Sequence, residues 1–449
     1  MPDRLVVIGG DAAGMTAASQ ARRRRADLDI VAFERGRYTS YSACGIPYLV
    51  SGEIGDLSDL VVVDPARFRD EYLIDARILH EVTEIDLDAR QVEVNDLVHQ
   101  RRFKLGFDEL LIATGARPVR PPLPGIDLEF VHGVQTLSDA ADLLDHAVNE
   151  KPRTVTVIGG GYIGLEMAEA FVQRGAEVTL VEAADEVMRT LDSDLGALVH
   201  QKMTEFGINV RTGVAVEAFE PGKVITAAGP VEADLVVLGL GVQPNSELAS
   251  NAGIELGARN AISVNRRQQT SAEGVWAAGD CAESFHRVSH RKVHVALGTV
   301  ANKQGRVAGI NIGGDYATFP GVVGTAVTKV CSAEVARTGL TEVEAQRDGF
   351  VYEVATIEST TRAGYLPSAR PIIVKMLAER ETGRVLGAQI VGDEGAAKRI
   401  DVVAVALTAG MTVYDLIDLD LSYAPPFSSV WDPVQVAARR LAEAVDRAR

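Results

Sequence analysis

The sequence presents one unit twice, 150 residues apart: an apolar strand, a glycine-rich turn, a helix, then a strand ending in an acid. Residues 4–9 hold an unbroken apolar run, Leu5–Ile8, closed by glycine, and the same grammar returns at 154–159. Such runs read as parallel strands buried on both faces, because a half-exposed strand would alternate. Helices are expected over 14–25 and from Ile163 to about Arg174, and the following strands over Ile30–Glu34 and Glu177–Glu182. An internal repeat of this grammar points to doubly wound α/β units.

The second turn carries Gly159, Gly161 and Gly164, a G-x-G-x-x-G at a strand-to-helix junction. Glycine serves there where the backbone turns tightly, approaches a pyrophosphate and packs helix on strand. The free N–H groups of the helix start then face the phosphates. Glu182, eighteen residues past Gly164, can accept from a ribose 2′-OH. No arginine or lysine stands in Glu182-Ala-Ala-Asp185, so the site is expected to prefer NADH over NADPH. The first turn has Gly9 and Gly14 at the outer positions and Gly10 between, with Asp11 in the second-glycine position. A carboxylate beside a pyrophosphate is unfavourable, so the Asp11 side chain should point away. Glu34 is the matching ribose acid. With Gly279-Asp280, the first unit suggests FAD, the second acid holding the ribityl chain; the plainer reading of Asp280 is a turn aspartate.

At 449 residues the chain exceeds one ordinary core, and about three domains are expected. The proline-rich stretch Pro118–Pro124 marks the first boundary, and Leu235–Asn245 closes the second unit. A strand is expected at Leu110–Gly115, a short one at Val275–Asp280 and a helix over His294–Ile310. Beyond Gly324, strands at Ala326–Val330, Pro371–Leu377 and Val385–Val391, with a helix at Ala396–Thr408, suggest a mixed third domain. Net charge is −17, which disfavours nucleic acid as a partner. No run reaches about 18 apolar residues, so no membrane span is expected. Cys44, Cys281 and Cys331 are too far apart for a disulfide framework or a metal site. No secretion signal is evident, and a reducing cytoplasm fits best.

Cys44 stands in Ser40-Tyr-Ser-Ala-Cys-Gly-Ile-Pro-Tyr48. An isolated cysteine is commonly a small buried hydrophobe. Here Gly45 and Pro47 constrain the backbone, and an ensuing helix N-terminus would favour a thiolate. Cys281 and Cys331 read as core residues. The run Arg22–Arg25 is either a solvated helix face or a phosphate contact through Arg22 or Arg23; Lys398 and Arg399 present the same choice. Tyr365 and Tyr423 are either packing residues or hydroxyl donors to a departing thiolate.

On these residues the chain resembles the flavoprotein pyridine nucleotide-disulfide oxidoreductases. The match includes Gly9–Gly14, Glu34, Ala113-Thr114-Gly115, Gly159–Glu166 with Tyr162, and Gly279-Asp280. The lone Cys44 resembles the single-cysteine branch of coenzyme A-disulfide reductases and NADH oxidases or peroxidases. The two-cysteine branch spaces its pair by four residues, and Thr39 and Leu49 occupy those positions here. The tail Ser422–Asp432, Tyr365 in Gly-Tyr-x-Pro, and Gly395–Asp401 also look like the coenzyme A-disulfide reductases. Ala43 and Leu366 depart from that pattern, in place of an asparagine and a second tyrosine.

The resemblance implies two doubly wound Rossmann-type nucleotide-binding domains plus a C-terminal α+β dimerisation domain. The FAD-binding domain would span 1–119 and 247–323, the NADH-binding domain 120–246 and the dimerisation domain 324–449. FAD would be held by Gly9, Gly14, Glu34, Arg35, Thr114, Gly115, Gly279 and Asp280. Gly159, Gly161, Gly164, Glu166 and Glu182 would serve NADH, and Tyr162 would cover the flavin until nicotinamide displaces it. Cys44, Tyr365 and Tyr423 would be catalytic, with Tyr423 supplied by the second subunit of a homodimer. Arg22, Arg23, Ser40, Lys398 and Arg399 would hold a small disulfide of coenzyme A type. The implied activity is electron transfer from NADH through flavin and Cys44 to that disulfide or a persulfide. The alternative is an NADH oxidase or peroxidase that cycles Cys44 through sulfenic acid.

Overall fold

In the computed structural model, which describes residues 3–449, each glycine turn joins a central parallel strand to a helix. Strand Arg4–Ile8 lies between Asp29–Glu34 and Glu109–Ile112, with Asp75–Ile78 and Val275–Ala277 at the edges. Strand Thr154–Ile158 holds the same place between Glu177–Val181 and Leu235–Leu238, flanked by Asn209–Arg211 and Val131–Gly133. The registers correspond. Ile8 pairs with Phe33 and Ile112, and Ile158 pairs with Val181 and Leu238. Leu5, Val6, Val7, Val155 and Val157 are buried, as two-sided burial requires. Each such side chain stabilises the fold by about 1.5–3 kcal/mol.

The expected strand at 110–115 stops at Ile112. Gly115 turns the chain at φ +66°, and its carbonyl accepts from the Asn245 N–H. Leu235–Asn245 likewise breaks after Leu238. Its second piece, Val242–Pro244, pairs antiparallel with Ala116–Pro118, so the two connections form a ribbon between the units. The helix expected from His294 begins at Gly298, because the His294 ring is held at the Asp280 carbonyl, 2.7 Å away. That helix, Gly298–Ile312, packs on Ala12–Arg24. A Cβ at Gly305 would strike the Ala13 carbonyl, and one at Gly309 the Ala17 carbonyl. The helix expected over 396–408 is a 3-10 turn, Ala397–Arg399, followed by Ile400–Ala409.

The third unit is an antiparallel five-stranded sheet in the order Ala326–Val330, Ala333–Gly339, Val385–Gly392, Pro371–Glu379, Tyr352–Thr360. Helices Ile400–Ala409 and Pro433–Ala448 share its core. A buried polar cluster fastens this sheet to the second unit. Lys375, 6% exposed, lies 3.2 Å from Asp192, 2.9 Å from Asp194 and 2.6 Å from Glu342. Gln389 donates to Asp192 at 2.6 Å and accepts from its N–H at 2.6 Å. Among the described residues no helix is long and apolar enough to cross a membrane.

Candidate active site

Gly9 and Gly159 sit at φ +112° and +103°, where a side chain is strained. A Cβ on either would strike a carbonyl of the neighbouring strand's extension, that of Ala113 or Gly239. A Cβ on Gly14 or Gly164 would strike the Gly9 or Gly159 carbonyl. The strand-end acids then repeat one hydrogen-bond pattern. Gly10 N–H donates to Glu34 Oε2 at 2.8 Å and Gly36 N–H to Oε1 at 2.6 Å. Gly160 N–H donates to Glu182 Oε2 at 2.7 Å and Ala184 N–H to Oε1 at 2.8 Å. Helices Ala12–Arg24 and Tyr162–Gln173 both start without a side-chain cap. Their first-turn N–H groups are therefore available to phosphates. Two collars of this kind fit two dinucleotides. Beside the first lies a recess of about 340 Å³ lined by Glu34, Arg35, Arg37, Tyr41, Arg117 and Asp139.

Thr114 and Gly115 are pinned across the ribbon. Thr114 Oγ1 donates to the Asn245 carbonyl at 2.5 Å, and Asn245 Nδ2 donates to the Thr114 carbonyl at 2.9 Å. Gly279 N–H donates to Gln304 Oε1 at 2.8 Å. Gln304 is fully buried and donates onward to the Glu283 carbonyl and Ser284 Oγ, both at 3.0 Å. This glutamine fixes the Gly279-Asp280 turn, and no sequence motif announced it. Burial pushes the Asp280 carboxyl up to about 6. The Asp11 side chain is engaged with the following loop, its Oδ1 accepting the Tyr41 N–H at 3.1 Å. Its carboxyl is likewise pushed up to about 6, by burial first, with Glu34 and Asp280 adding to it.

Of the three cysteines, Cys44 is exposed while Cys281 and Cys331 are buried. Cys44 lies in a 3-10 turn, Ala43–Gly45, that runs into the six-residue helix Ile46–Ser51. The expectation that a helix N-terminus favours its thiolate is corrected here. One and a half turns supply little dipole, and the thiol shifts upward instead. Desolvation by burial leads, followed by the negative charges of Glu166, Asp280 and Asp11. Glu166 itself is pushed up by burial and accepts from Thr328 Oγ1 at 2.5 Å. Tyr162 opens the same helix as Glu166, and its hydroxyl is buried beside Thr190 with no partner in hydrogen-bonding geometry.

Two expected phosphate ligands are otherwise engaged. Arg22 donates to the Ala26 carbonyl at 2.8 Å and the Leu73 carbonyl at 2.7 Å, closing two helix ends. Arg399 pairs with Asp432 at 3.0 Å and donates to the carbonyls of Thr361, at 2.6 Å, and Phe427, at 2.8 Å. Both guanidinium groups thus hold the chain's own carbonyls in this structure. Arg23 stays exposed, and exposed Lys398 pairs with Asp401. Arg399 nevertheless serves the region, because it ties the loops that bear Tyr365 and Tyr423. Ala363 N–H donates to the Pro425 carbonyl between those loops at 3.0 Å. Tyr365, Tyr423, Phe427 and Trp431 are all exposed there, an aromatic face on the third unit. Ser40 has φ +45°, and its N–H donates to the Gly10 carbonyl at 2.9 Å.

The family model described as "Pyridine nucleotide-disulphide oxidoreductase" matches residues 3–305, and the one for that family's dimerisation domain matches 325–434. The chain belongs to the pyridine nucleotide-disulphide oxidoreductases. It is an FAD- and NAD(P)H-dependent oxidoreductase. It is 40% identical over 446 residues to an NAD(P)H coenzyme A polysulfide/persulfide reductase of Pyrococcus horikoshii, covering 98% of this chain and 99% of that one. It is 36% identical over 441 residues to an NADH oxidase of Methanocaldococcus jannaschii, covering 97% and 98%. The structure of reduced Bacillus anthracis CoADR-RHD matches at a TM-score of 0.97 and 36% identity, covering 100% of this chain and 81% of that one. Among the described residues no cluster of three metal-ligating side chains occurs.

Proposed function

We propose that this oxidoreductase takes electrons from NADH and delivers them through Cys44 to a coenzyme A-linked disulfide or persulfide. The observation that carries the reading is the placement of the one exposed thiol. Its loop is joined to the flavin-side glycine turn at two successive residues, Ser40 and Tyr41. The polysulfide/persulfide reductase relative supports the acceptor class. Bound FAD would store the electron pair between nicotinamide and sulfur.

The chain's own residues do the rest. The Cys44 thiolate attacks one sulfur of the disulfide, forms a mixed disulfide and expels the other half as a thiolate. Tyr423 of a second copy protonates that leaving group, with Tyr365 on the adjoining loop beside it. Two electrons from NADH then cleave the mixed disulfide, releasing the second thiol and restoring the Cys44 thiolate. Glu182 selects NADH by occupying the space a 2′-phosphate would need. Arg22, Arg23, Lys398, Arg399 and Ser40 contact the substrate, and Tyr162 screens the flavin face. The domain limits are 1–119 with 247–323, 120–246 and 324–449, and the setting is a reducing cytoplasm.

The test is Cys44→Ser in FAD-loaded protein. The variant keeps its yellow flavin and its reduction by NADH, yet loses turnover of coenzyme A disulfide. Full-rate disulfide turnover by that variant would end the proposal. The NADH oxidase relative favours a second reading, in which Cys44 cycles through sulfenic acid. NADH-dependent oxygen or peroxide consumption without thiol release would select it.

A further inference from the structure

Asp11 occupies the fingerprint position that usually holds the second glycine, and it behaves unlike an ordinary N-cap. An aspartate at a helix start normally accepts from the N–H groups of the first turn. Here the residue is extended, at φ −108° and ψ −156°, and gives its helix no side-chain cap. Its Oδ1 accepts the Tyr41 N–H at 3.1 Å instead. The carboxylate stays in this place although burial, Glu34 and Asp280 all disfavour its charge.

The segment it holds is otherwise fixed mostly from the far side. Ser42 N–H donates to the Leu60 carbonyl at 2.8 Å, and Val62 N–H donates to the Ser40 carbonyl at 2.8 Å. Tyr41 bridges to Val61. A Cβ on Gly45 would run into the Leu60 side chain. Toward the glycine turn, the contacts at this point are the Ser40 N–H on the Gly10 carbonyl and the Tyr41 N–H on Asp11. Ser40 lies in the left-handed region, which a non-glycine residue holds only when its surroundings enforce it. Tyr41 and Cys44 are three residues apart, so their Cα atoms are within about 11 Å. A shift at Tyr41 therefore carries over to the thiol.

We propose that Asp11 is a positioning residue: by accepting the Tyr41 N–H it locks the Thr39–Gly45 segment, and with it Cys44, to the flavin-side glycine turn. Glycine at that position would offer no acceptor. This inference rests on the reading of Cys44 as the redox thiol, but its first readout does not.

The test uses full-length, FAD-loaded Asp11→Ala and Asp11→Asn. Both variants remove the charge, and only the asparagine keeps an acceptor oxygen. In Asp11→Ala, hydrogen–deuterium exchange at Tyr41 should rise at least tenfold and coenzyme A disulfide turnover should fall at least tenfold. Asp11→Asn should restore both to within about threefold of the parent. The proposal is overturned if Asp11→Ala leaves Tyr41 protected, or if Asp11→Asn behaves as Asp11→Ala does. Loosened Tyr41 exchange with turnover intact overturns the coupling to Cys44 while leaving the tether. A failure of the thiol mechanism would show separately, in Cys44→Ser.

Discussion

Glu34 and Glu182 are counterparts: each stands at the C-terminal end of the second strand of its unit, Glu34 as its last residue and Glu182 directly after it, and each accepts one N–H from the glycine turn and one from two residues farther on. Each carboxylate is thereby held in one orientation by its own chain. Removing one should loosen a turn as well as delete a contact. Glu182→Ala is expected to lower kcat/KM for NADH about tenfold or more, since a hydrogen bond to a charged group contributes about 1.5–3 kcal/mol. NADPH should suffer less, because a 2′-phosphate no longer meets a carboxylate. Steady-state kinetics with both coenzymes check this.

Cys44 and Glu166 form a second electrostatic pair. The glutamate's charge is the largest charge effect lifting the thiol, after desolvation. Glu166→Gln should therefore move the Cys44 ionisation to lower pH. The pH midpoint of iodoacetamide alkylation at Cys44 measures it, and an unchanged or higher midpoint contradicts the assignment.

Asp280 gives a pH dependence of defined sign. Its carboxyl is raised by burial from an ordinary 3.8 to about 6. The folded chain thus holds the proton more tightly than the unfolded chain. That contribution is full below about pH 4 and is lost as pH rises through 6. In deflavinated protein, Asp280→Asn should raise the thermal midpoint at pH 8 and change it little at pH 4. In the same variant FAD should be retained less well on dialysis.

Lys375 balances three acids at the join between the second and third units. Lys375→Ala leaves Asp192, itself buried, without its cation. A loss of about 3–5 kcal/mol is expected, the range for breaking a buried pair. Asp194→Ala should cost less, because Asp194 is half exposed. Thermal midpoints should fall in that order.

Legibility in the sequence followed the range of the interaction. An apolar run such as Leu5–Ile8 declares a buried strand by itself, and the glycines between strand and helix declare the turns. The partners of Arg22 and Arg399, Leu73 and Phe427, were not legible, because they lie 51 and 28 residues away. A local run of basic residues does not show which carbonyls will claim it. The thiol's upward shift was hidden for the same reason, since Glu166 and Asp280 reach Cys44 only through the fold. Asp11 was legible as an oddity, and its partner Tyr41 was not.

The helix Gly298–Ile312 and the strand Val275–Ala277 belong, by contact, to the unit that begins the chain. During synthesis that first unit must wait. Between Ile112 and Val275 the ribosome makes the whole second sheet, about 8 to 30 s of elongation at ordinary rates. The sheet that starts at Arg4 meanwhile has a bare edge at Glu109–Ile112 and no helix against Ala13 and Ala17. The unit that starts second can close first, and the nascent flavin site is completed around it.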